Sequence, residues 1–198
     1  MIINKIHWLG VGLSSPPGIL YLNDQRYDLL VWNRSVDKAK TLLKNKINVN
    51  ELDISNFSKK LDKNDLIVSM LPASMHIEIA ELAIKFKCHL VTSSYYDPQY
   101  EKLEPKFIDN DCLFVCECGL DPGIDHLLAH KLIQEFDKEN HQDIKSIDFK
   151  SMCGGFPDMP NNFKYKFSWS PRGVLKALNT PAKHIKNFSE IKSEKPYK

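Results

Sequence analysis

A doubly wound α/β domain is the fold this sequence predicts, on three observations. Short apolar runs alternate with helix-patterned stretches through the first hundred-odd residues, the rhythm of a parallel sheet covered by helices. The run Tyr27–Trp32 (YDLLVW) is apolar on consecutive residues, which suits a strand buried on both faces, and Asp65–Leu71 (DLIVSML) reads clearly as another strand. The first run, Ile6-His7-Trp8-Leu9, ends in Gly10-Val11-Gly12, a strand-to-glycine turn of the kind that opens a dinucleotide-binding (Rossmann) domain.

The elements follow in order. Pro16 and Pro17 fall in the first turn of a helix, where proline is tolerated. After the strand Tyr27–Trp32, Val36–Lys44 has helical spacing, with Val36, Ala39, Leu42 and Leu43 on one side. Val49–Asp53 is a weak third strand. Asp65–Leu71 is the clearest strand, and Pro72 stops it. His76–Phe86 follows as a helix with Ile77, Ala80 and Ile84 on one face, and Leu90–Thr92 is a fifth strand. Tyr100–Ile108 reads as a helix weakened by Pro105, and Leu113–Cys116 as a sixth strand. The rhythm then changes. Gly119-Leu120-Asp121-Pro122-Gly123 is a turn, Ile124–Phe136 a helix, and Ile144–Met152 alternates like a half-exposed strand. Gly154–Asn162 is a loop, and Val174–Ile185 reads as a helix despite Pro181. The expected division is a dinucleotide-binding domain over 1–122 and the start of an incomplete α+β domain over 123–198.

A length of 198 residues allows one full domain and part of a second. Net charge is +2 with basic residues spread along the chain, so no clustered basic face suggests nucleic acid. Phe163-Lys164-Tyr165-Lys166-Phe167 resembles a single-strand binder only superficially. No apolar run approaches the roughly 20 residues that span a bilayer. The first residues lack the layout of a signal peptide, so the expected compartment is the cytoplasm, where five cysteines would stay reduced. Cys112, Cys116 and Cys118 with His126 and His130 match neither CxxC nor HExxH, so no metal is expected. The strand cysteines read as core residues, His126 as packed behind the site and His130 as exposed.

The glycine turn has a chemical reading. Gly10 allows the tight turn, and Gly12 lets backbone approach a pyrophosphate at the positive end of the next helix. Gly10, Gly12, Leu13, Ser14 and Ser15 are candidate cofactor contacts, although Ser15 stands where Gly or Ala is usual. At the tip of the second strand, Asn33-Arg34-Ser35 carries no carboxylate for ribose hydroxyls, and Arg34 reads either as a solvated arginine after a strand or as placed to meet a 2′-phosphate. That pattern favours NADP(H) over NAD(H). Asp53, beside Ile54, has two readings: an acceptor for the adenine amine, or a cap on the helix of Ile54-Ser55-Asn56. Met70-Leu71-Pro72, at the carboxyl end of the fourth strand, would line the nicotinamide side.

Three longer segments carry a family resemblance. Thr92-Ser93-Ser94-Tyr95-Tyr96-Asp97-Pro98 is similar to the TTSYxxP segment of saccharopine reductases. Glu117-Cys118-Gly119-Leu120-Asp121-Pro122-Gly123-Ile124-Asp125-His126 resembles their NExGLDPGIDH. Ser151-Met152-Cys153-Gly154-Gly155-Phe156-Pro157, with Tyr165-Lys166-Phe167-Ser168-Trp169-Ser170 and Gly173-Val174-Leu175, resembles their SYCGGLP and YKFSWSxxGVL. The match keeps its order over essentially the whole chain.

The resemblance implies an oxidoreductase that interconverts saccharopine with glutamate and 2-aminoadipate 6-semialdehyde using NADP(H), in lysine synthesis or breakdown. It implies a substrate-binding and dimerisation role for the second domain, and a homodimer. By correspondence, Ser94, Tyr95, Asp121, Phe167, Ser168 and Trp169 bind substrate, with Tyr95, Asp121 and Cys153 in the chemistry. Asp121 is expected to receive the substrate ammonium while Tyr95 or Cys153 relays protons. Each has a plainer reading: Tyr95 as a sheet-end aromatic, Asp121 as a cap on the helix Pro122 opens, Cys153 as a small core residue. A non-catalytic NADP(H)-binding module and a related imine reductase of the carboxynorspermidine type are the alternative functions.

Overall fold

The computed structural model describes residues 2–138, 147–155 and 157–193. They fall into two compact units, Met1–Cys153 and Gly154–Lys198. In the first, strands and helices alternate: β1 (Ile6–Leu9), α1 (Pro16–Asp24), β2 (Leu29–Asn33), α2 (Val36–Leu42), β3 (Val49–Glu51), α3 (Ile54–Ser58), β4 (Leu66–Ser69), α4 (His76–Phe86), β5 (His89–Thr92), α5 (Glu104–Asp109), β6 (Phe114–Val115) and α6 (Ile124–Asp137). The six strands are parallel in the order β3-β2-β1-β4-β5-β6. The order reverses between β1 and β4, the switch point where open α/β sheets bind ligands. Leu9 is in register with Trp32 on one side and Ser69 on the other. The following residues Gly10, Asn33 and Met70 therefore share the carboxyl edge of the sheet.

Alternate residues of each strand feed opposite faces. Leu9, Trp32 and Ile67 join Phe57, Ile79, Leu90 and Phe107 in one cluster. Trp8 and Val31 join Ile19, Ala39, Leu43 and Val49 in the other. Each fully buried large aliphatic contributes about 1.5–3 kcal/mol by leaving water, so both faces must be apolar. One polar pair sits inside: the Nε2 of His7 lies 2.9 Å from Asp65 Oδ2, and Trp32 Nε1 donates to His7 Nδ1 at 3.2 Å. With Nδ1 accepting, Nε2 carries the proton and donates to the carboxylate. Burial holds the His7 pKa below its ordinary value, against the opposing pull of Asp65.

Two expectations for the first unit are corrected. Tyr100–Ile108 is not one helix: a 3₁₀ turn over Pro98–Lys102 precedes α5, and Pro105 stands in the first turn of α5 instead of interrupting it. Residues 144–146 of the expected strand lie outside the described residues, and 147–152 form no strand.

The second unit contains α7 (Pro171–Ala177) and an antiparallel hairpin of β7 (Ala182–Lys186) and β8 (Ser189–Ser193). The helix expected over Val174–Ile185 therefore ends at Ala177. Pro181 lacks an N–H and disfavours helix in the residue before it, so the chain leaves as a strand. Asn187 and Phe188 both have positive φ, 51° and 61°, the requirement of the two-residue turn that closes such hairpins.

Candidate cofactor and substrate site

The glycine turn is bound from below by side chains. Gly10 has φ of 90°, and a Cβ there would lie 3.1 Å from the Met70 carbonyl oxygen. Above Gly12 no atom lies within 4 Å of a Cβ position, leaving open space for a ligand to approach. The Val11 N–H donates to Asn33 Oδ1 at 2.9 Å, and Asn33 Nδ2 donates to the Ser35 carbonyl at 2.8 Å. Ser15 is buried; its hydroxyl donates to the Gly10 carbonyl at 3.1 Å and accepts the Gly12 N–H at 3.3 Å. Pro16 and Pro17 open α1 and bring no N–H. The Leu13 and Ser14 N–H groups find no acceptor among the described residues. An open approach over Gly12 beside two available amides fits a bound diphosphate.

Sequence reasoning missed Gly18. A Cβ there would sit 2.9 Å from Trp8 Cη2, so its absence lets α1 pack on β1. That is the service the third fingerprint glycine usually gives, moved three residues along the helix. The indole N–H of Trp8 also donates to the Gly10 carbonyl, at 3.1 Å.

At the tip of β2, Arg34 is exposed and makes no ion pair among the described residues. Asp53 caps α3, its Oδ1 accepting the Asn56 N–H at 2.9 Å, so the capping reading is realised. Met70 follows β4, its N–H donating to the Leu9 carbonyl at 2.8 Å. Met70 and Leu71 are half-buried and Pro72 exposed on that edge.

A second cluster forms beyond β5. The Cys118 N–H donates to the Thr92 carbonyl and the Glu117 N–H to the Ser94 carbonyl, both at 3.0 Å, which lays 117–118 beside 92–94. Glu117 Oε1 accepts the Tyr96 N–H at 3.0 Å. Gly123 has φ of 145°, and any Cβ on it would overlap the Gly119 carbonyl, so only glycine closes this loop. Tyr95 OH then donates to Asp121 Oδ1 at 2.7 Å. That hydrogen bond first, then desolvation and the charges of Asp121, Asp125 and Glu117, push the Tyr95 phenol up to about 12. At neutral pH it is a proton donor and an unsuitable base.

Several plainer readings are thereby corrected. Asp121 does not cap α6; Gly123 holds the cap position, and its N–H goes to Asp125 Oδ1 at 2.7 Å. Cys153 and Cys118 are exposed and Cys116 half-buried, leaving Cys112 as the core residue of the group. His126 is exposed instead of packed behind the site, with ring nitrogens 3.7 Å from Glu117 and 3.5 Å from Asp125. Glu117, which tethers the Ser94–Tyr96 loop, stands in the second family segment, but nothing in its spacing marks that role.

In the second unit Phe167 and Trp169 are 41% and 50% exposed, too open for core residues, and Ser168 is exposed as well. The Tyr165 and Phe167 rings meet edge to face at 5.5 Å. The Trp169 ring covers Gly173, where a Cβ would strike it. Among the described residues no group of three or more His, Cys, Asp or Glu is disposed to hold a metal. No helix among them is long and apolar enough to cross a membrane.

A parallel six-stranded sheet with a glycine turn at its switch point defines a dinucleotide-binding protein of the doubly wound class. The saccharopine dehydrogenase NADP binding domain matches residues 6–115, and the saccharopine dehydrogenase C-terminal domain matches 119–198. The chain belongs to the saccharopine dehydrogenase family. It is 39% identical over 188 residues to saccharopine dehydrogenase [NADP(+), L-glutamate-forming] of Saccharomyces cerevisiae, covering 90% of this chain and 41% of that protein. It is 33% identical over 193 residues to the mitochondrial alpha-aminoadipic semialdehyde synthase of Mus musculus, covering 92% of this chain and 20% of that one. Among solved structures, the apo saccharopine dehydrogenase (L-Glu forming) of S. cerevisiae superposes with a TM-score of 0.71 at 31% identity, covering 97% of this chain and 44% of that one. The chain thus spans about two fifths of the length of the yeast relative.

Proposed function

We propose that this chain interconverts saccharopine with L-glutamate and 2-aminoadipate 6-semialdehyde, using NADP(H), in lysine metabolism. The observation that carries the reading is the Tyr95–Asp121 pair, 2.7 Å apart beyond β5, on the same sheet edge as the glycine turn. NADP(H), when bound, gives or takes the hydride. The Leu13 and Ser14 amides would receive its diphosphate, Arg34 its 2′-phosphate, and Met70, Leu71 and Pro72 would line the nicotinamide side. Asp53, beside Ile54, already spends one carboxylate oxygen on its cap.

Asp121 receives the substrate ammonium, and Tyr95 orients that carboxylate by donating to it. Because the Tyr95 phenol is pushed up to about 12, Cys153 is the remaining candidate for proton relay; the family correspondence offers Ser94 and, in the second unit, Phe167, Ser168 and Trp169 as substrate contacts. Exposed Ile124, Leu127, Leu128, Leu132 and Ile133 on α6 support a homodimer, since apolar side chains in such number seek a partner.

The test mixes the purified chain with saccharopine and NADP+, then NAD+, and follows nicotinamide absorbance. Faster reduction with NADP+ is the expected result. Binding of NADP+ without reduction would favour a non-catalytic NADP(H)-binding module, and absence of NADP+ binding would refute both readings.

A further inference from the structure

The pyrophosphate turn lies on three side chains that no cofactor atom needs to touch. Gly10 places its carbonyl on the protein side of the turn, where it accepts two hydrogen bonds: from Trp8 Nε1 at 3.1 Å and from Ser15 Oγ at 3.1 Å. The same Ser15 hydroxyl accepts the Gly12 N–H at 3.3 Å, and Asn33 Oδ1 accepts the Val11 N–H at 2.9 Å. Ser15 is 1% exposed and Trp8 9%, so both act inside the fold.

Many dinucleotide turns also draw on the first N–H groups of the helix that follows. Here Pro16 and Pro17 occupy the first two of those positions and bring none, so Gly18 is the first residue of α1 with an N–H. Reception of a diphosphate then falls mainly on the turn itself, where Leu13 and Ser14 have available amides. Two backbone amides on a loop that follows a glycine lose entropy on binding unless something holds them in advance. The fingerprint's third position normally packs helix on strand. Gly18 does that against Trp8 here, which frees position 15 to carry a hydroxyl.

We propose that Trp8 and Ser15, with Asn33, form a hydrogen-bonded clamp that pre-sets the Gly10–Ser14 turn for the diphosphate of NADP(H), replacing the helix N–H donors removed by Pro16 and Pro17. Trp8 and Ser15 are positioning residues, acting through the Gly10 carbonyl. The proposal rests on the NADP(H) reading of this turn.

The experiment compares the unaltered chain with Trp8→Phe, Ser15→Ala and the double variant. Trp8→Phe keeps an aromatic ring under Gly18 and removes the N–H, and Ser15→Ala restores a residue usual at this position. NADP+ affinity is read by isothermal titration. Exchange of the Gly12 amide and the Trp8 indole proton is read by NMR in the free protein. Each single variant is expected to weaken NADP+ about 3- to 10-fold, the loss of one partly buried hydrogen bond. Because both bonds converge on one carbonyl, the double variant departs from the product of the singles. Ser15→Ala speeds Gly12 exchange while the strand amide of Leu9 stays protected. Unchanged affinity in both single variants, with NADP+ still bound by the unaltered chain, overturns the clamp alone. A lowered melting temperature with unchanged affinity and Gly12 exchange does so too, since it assigns these residues to stability only. No NADP+ binding by the unaltered chain sinks the cofactor reading, and with it the clamp as a binding device. Should Trp8→Phe not fold, the Ser15→Ala arm decides.

Discussion

Replacing Asp121 by Asn probes the Tyr95–Asp121 pair most sharply. In the native chain the phenol donates to Asp121 Oδ1 at 2.7 Å and its pKa is pushed up to about 12. Asn keeps an oxygen acceptor but removes the charge that makes phenolate costly. Desolvation and the more distant Asp125 and Glu117 charges remain, so the rise above the ordinary value of roughly 10 should shrink without vanishing. Tyr95 is 62% exposed, so water screens the pair and its net stabilisation is below about 1 kcal/mol. The sign follows from linkage. A raised folded-state pKa stabilises the protein below the unfolded value near 10 and loses that effect as pH climbs toward about 12. The assay is a 13C titration of labelled tyrosines, with Tyr95 identified by its disappearance in Tyr95→Phe. Tyr95 should ionise at a clearly lower pH in Asp121→Asn than in the native chain. An unchanged Tyr95 titration would refute the pairing as the cause of the shift.

Three further expectations follow from named contacts. Arg34→Ala should weaken NADP+ by about 10- to 100-fold while leaving NAD+ within about threefold, as loss of a charge-assisted phosphate contact requires; parallel titrations with the two nucleotides check it. Asp53→Ala should cost about 1 kcal/mol in urea unfolding through loss of the α3 cap, and Asp53→Asn should restore most of it. Burial lowers the pKa of both His7 and His76. Stability is then complete above the unfolded value near 6.5 and falls as pH drops below it, because the unfolded chain takes protons the folded one refuses. The slope reaches about 2.7 kcal/mol per pH unit if both histidines stay neutral when folded. Urea midpoints at descending pH check this, and a flat profile between pH 7 and 5 would contradict it.

What could be read from residues alone tracks where local rules agree with tertiary ones. β1 and α4 fall on their expected bounds because apolar continuity or 3.6-residue spacing meets a clear stop: Gly10 after β1, and Lys87 at φ of 56° after α4. Pro105 misled because proline breaks a helix only when inside it, and where a helix begins depends on the turn before it. Beyond Ala177 the reading of Val174–Ile185 as helix despite Pro181 fails, because Pro181 and the positive-φ pair Asn187–Phe188 impose a hairpin. The glycine turn and the family segments marked the site region. The inward bonding of Ser15, the Trp8 support and the Glu117 tether depend on backbone direction, which spacing does not encode. Asp121 shows the same limit: a cap and a partner for Tyr95 look alike in sequence, and only the path of Gly119–Gly123 separates them.

In the proposed function one sheet edge receives NADP(H) at the glycine turn and substrate at the Tyr95–Asp121 pair. Amide shifts of the 15N-labelled chain, titrated first with NADP+ and then with saccharopine, test it most directly. NADP+ is expected to move Gly12–Ser14, Arg34 and Met70–Leu71, and saccharopine then to move Ser94–Tyr96 and Glu117–Asp121. Perturbations confined to other surfaces, or saccharopine leaving the second set unmoved in an NADP-bound chain, would contradict it.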